Sequence, residues 1–116
     1  MKDKKNKERR VAKRVPVVFN VNYIHDGDYI ISSTRDVSAD GMFLYTENPP
    51  SVSEKIKLKF KLGTLTNLEV DAKVMWVNTS AADPKDHGMA VKFIKPGVRV
   101  KEAVLKVVNR VAVLGQ

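Results

Sequence analysis

The chain has 116 residues, 43% of them apolar and 29% charged, which bounds it to one domain with a core of ordinary proportions. It contains no cysteine, so disulfides, thiolate metal sites and cysteine nucleophiles are excluded. The formal net charge is +8 but uneven: residues 1–14 hold eight Lys and Arg against Asp3 and Glu8, a net +6, while the other 102 residues carry 13 basic and 11 acidic groups, a net +2. An anion is therefore drawn to one arm of the chain, not to a broad basic face. No apolar run approaches the ~20 residues of a membrane span, and the lysine-rich start lacks the apolar stretch of a signal peptide, so a soluble cytoplasmic protein is expected.

Residues 1–9 carry a dense like-charge run with no apolar periodicity and read as a flexible basic arm, disordered without a ligand. Residues 10–116 read as the folded domain. Val15, Val17, Phe19, Val21 and Tyr23 alternate with mostly polar residues, the pattern of a half-buried strand. Asp26-Gly27 is a hairpin signal leading to a second strand over Tyr29–Val37, and Gly41–Thr46 reads as a third. After a loop forced by Asn48-Pro49-Pro50, Lys55–Leu62 alternates Ile56, Leu58, Phe60 and Leu62 against four lysines. Gly63–Asn67 reads as a turn, and Leu68, Val70, Ala72, Val74 and Trp76 as one face of a fifth strand. Gly88–Ile94 supplies the sixth. Between Val98 and Leu114 there is no Pro or Gly, and Val100, Val104, Val107, Val111 and Leu114 fall on one helical stripe opposite Arg99, Glu102, Lys106, Asn109 and Arg110, with Gly115 as terminator. Its many valines mean that this helix needs packing to persist. The expected fold is dominated by β-structure: a six-stranded antiparallel β-barrel with a C-terminal α-helix covering an open end or edge.

Two strings stand apart from this scaffold. Arg10-Val-Ala-Lys-Arg14 sets two guanidinium groups four residues apart at the end of the basic arm, and Asp36-Val-Ser-Ala-Asp-Gly41 gathers a carboxylate, a hydroxyl and a glycine at a strand end. Alone, the first occurs in any basic arm, and the second is also a turn in which Asp36 and Ser38 bond their own backbone. Together, in this order and on this strand pattern, they can surround a flat, hydrogen-bonding, doubly anionic molecule. The pair resembles the RxxxR and [D/N]xSxxG signatures of the PilZ domain, a single-domain stand-alone type here, and the resemblance covers roughly residues 8–114.

The resemblance implies a PilZ-like split barrel whose ligand is cyclic di-GMP (c-di-GMP), held by Arg10 and Arg14 from the first signature and Asp36, Ser38 and Gly41 from the second. These residue types suit that ligand. An arginine fork matches guanine O6 and N7, stacks on a purine face, and pairs with phosphate oxygens. A carboxylate such as Asp36 accepts from guanine N1–H and the N2 amino group, Ser38 adds a hydroxyl, and Gly41 permits a backbone conformation or close approach that a side chain forbids. Arg9 stands just before the first signature, and in the family an arginine there accompanies a stacked two-molecule ligand. Trp76 is a further candidate, with packing in the core or at its rim as the plainer role.

Other chemistries find no support. His25 and His87 lie in predicted loops without cysteines or a tight carboxylate cluster, so no metal site is expected. Ser38 is in no G-x-S-x-G elbow, and no phosphate-cradling glycine loop is present, so neither a catalytic residue nor a cofactor is assigned and the protein is not expected to be an enzyme. The expected function is a receptor that orders its arm on c-di-GMP and passes the signal to a downstream partner protein. Two alternatives remain. A basic barrel binding nucleic acid fits the pI of about 9.8, but the nearly neutral body and the absence of an evident aromatic stacking row argue against it. The other is a PilZ-like protein–protein adaptor that binds no ligand.

Overall fold

The computed structural model describes residues 13–114, and Arg9, Arg10, the proposed arm of residues 1–9 and Gly115 lie outside them. The strands are β1 (Val15–Pro16), β2 (Asn20–His25), β3 (Asp28–Val37), β4 (Gly41–Tyr45), β5 (Lys55–Leu62), β6 (Leu65–Asn78) and β7 (Gly88–Ile94), followed by helix α1 (Val98–Leu114). All pairings are antiparallel in the order β1-β3-β2-β5-β6-β7-β4, and a further β3–β4 pairing closes the sheet. Six strands, β2 to β7, therefore form the barrel expected from the sequence, while β1 is a two-residue strap on β3. Each strand places alternate residues inside, so Val21, Tyr23, Met42, Leu44, Leu58, Leu68, Val74 and Met89 meet in a continuous core. Among the described residues no buried side-chain polar atom lacks a hydrogen-bond partner.

The single first strand expected over Val15–Tyr23 is instead broken at Val17–Phe19. There the buried Thr34 takes over part of the bonding. Its hydroxyl donates to the Val17 carbonyl at 2.6 Å and accepts from the Phe19 N–H at 3.0 Å, and its own N–H donates to the Phe19 carbonyl. The β2–β3 turn matches its sequence signal: Asp26 and Gly27 both take positive φ, as a tight two-residue hairpin requires. The β5–β6 connection is tighter than Gly63–Asn67, because Leu62 already pairs with Leu65 and Asn67 adopts its left-handed conformation (φ 58°) inside the strand.

Helix α1 rests against β1, β5 and β6. Val100, Ala103, Val104 and Val108 are buried, with Val107, Val111 and Ala112 packed partly against the core, while Arg99, Glu102, Lys106, Asn109 and Arg110 are exposed. The apolar stripe is thus wider than the valine spacing implied, because Ala103 and Val108 also turn inward.

Among the described residues the strand register is interrupted by bulges at Arg35 in β3 (between Thr34 and Asp36), at Met75 in β6 (between Val74 and Trp76), and near the start of β6, where Thr66 and Asn67 together stand opposite Lys61 of β5. In a regular strand one of each adjacent pair would face inward, and the extra residue reverses that parity. Thr34 and Val37 are buried while Arg35 and Asp36 both face out; likewise Val74 is buried while Met75 and Trp76 are each about half exposed. The inward placement of Trp76 with Val70 and Val74 is therefore corrected: the β6 bulge puts it on the barrel's outer surface.

Gly41 pairs with Lys92 of β7, and a Cβ there would lie 2.0 Å from the Val91 carbonyl oxygen. Close approach of two backbones, not a positive φ, requires this glycine. Gly41→Ala is expected to destabilise the fold by roughly 1–3 kcal/mol through forced separation of β4 and β7, measured by urea denaturation; unchanged stability would contradict that account.

At the other end of the barrel, His25 and Glu54 form an ion-paired hydrogen bond, with Asp26 3.5 Å from the same imidazole nitrogen. The bond to Glu54 holds His25 above its ordinary value of 6.5 against the opposing effect of partial burial, with Asp26 and Asp28 adding, and the same bond holds Glu54 below 4.5. The stabilisation from raised His25 is complete below pH 6.5 and is lost as pH rises through its folded-state value; that from Glu54 is complete above pH 4.5 and is lost as pH falls through its lowered value. An NMR titration is expected to find the His25 midpoint above 6.5 and to find it lowered by Glu54→Gln; an unmoved midpoint would show that the bond is not formed.

Candidate functional site

The pairing of Val15 with Val37 and Pro16 with Asp36 decides where Arg14 meets the barrel. Arg14, one residue before β1, is carried to the end of β3, where its Nη1 donates to Asp36 Oδ1 at 2.6 Å. The two sequence signatures, 22 residues apart at these positions, thus meet through a direct ion pair. Asp36 is 14% exposed at its side chain, so this contact is better shielded than an ordinary surface pair.

Behind the ion pair the chain makes a narrow turn from β3 to β4. The Ser38 N–H donates to the Gly41 carbonyl at 2.8 Å, its hydroxyl donates to the same oxygen at 3.4 Å, and that hydroxyl accepts from the Asp40 N–H at 3.2 Å. The Asp40 carbonyl in turn accepts from Phe93 N–H, tying the turn to β7. Buried Ser38 therefore fixes the corner's shape, the local-backbone role that the sequence left open beside the ligand role.

Around this corner lies an open groove of about 290 Å³ lined by Arg14, Ser38, Asp40, Gly41, Met75, Trp76, Ala90, Val91 and Lys92. It brings together four of the residues expected from the sequence (Arg14, Ser38, Gly41 and Trp76), with Asp36 bonded to Arg14 at its edge. Arg9 and Arg10 fall outside the described residues. A larger groove of about 770 Å³ lies at the opposite end of the β3–β4 pair, lined among others by Asp28, Ile31, Tyr45, Glu47 and Lys85. Its two carboxylates against one lysine and one histidine suit a dianion poorly, whereas the smaller groove sets Arg14 and Lys92 against Asp40 in its wall, with Arg35 bonded to Asp36 at its edge.

Sequence reasoning missed Arg35, Phe43, Met75 and Lys92. Phe43 is 1% exposed yet is no part of the interior cluster. It faces outward between Met42 and Leu44, and its ring lies 5.7 Å from Trp76 and 5.8 Å from Tyr45. Gly88 leaves it room, since a Cβ there would lie 2.4 Å from the ring. The Arg35 guanidinium lies over the Phe43 ring, 3.8 Å from its centroid, and its Nε donates to Asp36 Oδ2 at 2.8 Å. The aromatics do not all follow core alternation, then: Phe43, Tyr45 and Trp76 form an outer cluster beside the groove. The outward phase of β4 after Gly41 was readable; the two bulges that bring Arg35 and Trp76 to it carry no sequence signal of their own.

In fold the chain is similar to the Bacillus subtilis inhibitor of motility (MotI/DgrA), with a TM-score of 0.78 and 18% identity over 93% of this chain and 53% of that one. It is similar also to the PilZ domain of Escherichia coli YcgR with c-di-GMP, with a TM-score of 0.70 and 14% identity over 92% and 94% of the two chains. The Borreliella burgdorferi PlzA protein in complex with c-di-GMP gives 0.67 and 9% over 89% and 42%. The chain spans about half the length of the MotI/DgrA chain. No curated protein sequence matches it, and no helix among the described residues is long and apolar enough to cross a membrane. The family model described as the PilZ domain matches residues 8–110, both signatures included. The chain belongs to the PilZ domain family, a family of c-di-GMP-binding β-barrel domains that are generally non-catalytic.

Proposed function

We propose that this protein is a cytoplasmic c-di-GMP receptor, not an enzyme, that binds its ligand at the Arg14–Asp36–Ser38 corner and signals to a partner protein. The observation that carries this reading is the ion pair between Arg14 and Asp36 at the mouth of the groove, which joins a residue of each signature directly. Only one Arg14 nitrogen is engaged by Asp36, so the rest of its fork is available for guanine O6 and N7 or a phosphate. Each Asp36 oxygen accepts one arginine N–H and keeps a second lone pair for guanine N1–H and the amino group. Arg10 supplies a second guanidinium from the other side as the arm folds over the ligand, and Arg9 extends the set toward a second stacked c-di-GMP. Folding of the arm on the ligand presents a new surface to the downstream protein. Trp76, with Met75, offers an apolar wall at the groove edge for a purine face.

Two of the four lysines of the β5 row are opposed by acid, Lys57 and Lys59 lying within 3.9 Å of Glu69 or Asp71, which weakens a nucleic-acid reading. The Ser38 hydroxyl already donates to Gly41 and accepts from Asp40, which disfavours it as a nucleophile. Calorimetric titration with c-di-GMP is expected to show saturable binding, with the stoichiometry reporting whether one or two molecules are held. Arg14→Ala and Asp36→Ala are each expected to lower affinity by roughly tenfold to a hundredfold or more, with native far-ultraviolet spectrum and melting. An isotherm like that of the wild type from either variant refutes the site. No binding by the unaltered protein leaves the ligand-free adaptor as its function.

A further inference from the structure

We infer that Arg35, which belongs to neither signature, is a positioning residue that keeps Arg14 open toward the ligand; the inference rests on the reading of the groove as the c-di-GMP site. Asp36 has two carboxylate oxygens and two arginines compete for them. Arg35 Nε holds Oδ2 at 2.8 Å, leaving Oδ1 to Arg14 Nη1 at 2.6 Å. An arginine facing a whole carboxylate frequently closes on it with two parallel hydrogen bonds. With Oδ2 occupied, Arg14 is confined to one prong, and its remaining N–H groups stay directed away from Asp36.

Arg35 can do this because its own position is fixed from two sides. The β3 bulge turns it outward next to Asp36, and its guanidinium carbon lies 3.8 Å from the centroid of the Phe43 ring. That ring is immobilised in turn by Trp76, Tyr45 and the space left at Gly88. The requirement is specific to arginine. Lysine keeps the charge but has neither the planar group that stacks nor an N–H at the ε position, and methionine keeps an apolar cover on Phe43 but has no donor.

The test compares Arg35→Lys and Arg35→Met with the wild type. Both are expected to weaken c-di-GMP binding, each by roughly tenfold, and to shift the Nε–H resonance of Arg14 in the ligand-free protein as its fork closes on Asp36. Wild-type affinity in Arg35→Lys alone would overturn the inference by showing that only charge near an anion matters. Wild-type affinity in Arg35→Met would overturn it by showing that only cover of Phe43 matters. An Arg14 signal unmoved in both variants would also overturn it, whether or not c-di-GMP binds. If the unaltered protein fails to bind, the receptor reading fails by itself while the Arg14 resonance still decides the role of Arg35.

Discussion

The candidate site depends on a pairing of two residues with two others, Val15–Pro16 with Asp36–Val37. This short strap is the only pairing of β1 among the described residues, and it has little energy of its own. It is held because Val15 is 3% exposed and helix α1 packs against β1, so the C-terminal helix secures the place where Arg14 meets the barrel. Without it, Arg14 would be one more cation on a charged tail. With it, a guanidinium is delivered to a partly shielded carboxylate at the end of β3, and a sequence feature that is worthless alone becomes half of a candidate site.

The rest of the corner is built by irregularity. A regular β3 would turn one of Arg35 and Asp36 inward, and a regular β6 would do the same to Met75 or Trp76. Each bulge places two adjacent residues on the outer surface, and Phe43 of β4 stands between the two bulged segments, in contact with Arg35 and Trp76. Bulges of this kind recur where a strand must re-aim a side chain. At Ser38 and Gly41 the structural role falls on residues that also line the proposed site. The serine hydroxyl shapes the turn and the glycine lets β4 and β7 meet, and both line the groove they create.

Much of this was legible in the sequence. Period-two alternation located the barrel strands, most directly in Lys55–Leu62 where lysines and apolar residues take strict turns, and Asp26-Gly27 located the first hairpin. Arg14, Asp36, Ser38 and Gly41 were recognisable because their types and spacing form a pattern. What escaped was anything set by a change of phase. Alternation assigns Trp76 to the face of Val74, and nothing in Val74-Met75-Trp76 announces an extra residue. Thr34 reads as an ordinary strand threonine, yet its hydroxyl replaces a ladder at Val17 and Phe19. Arg35 stands beside Asp36 in the chain, but its significance comes from Phe43, which alternation alone would not bring beneath it.

The account stands or falls on which end of the β3–β4 pair receives the ligand, since the two grooves differ in size as well as charge. The most direct measurement is an NMR chemical-shift map of the backbone and arginine side chains during titration with c-di-GMP. The account predicts that the largest changes fall on Arg14, Asp36, Ser38, Gly41 and Trp76, with the Tyr29–Ser33 and Thr46–Pro50 segments left unmoved. Changes concentrated in those two segments, with Arg14 and Ser38 silent, would contradict it.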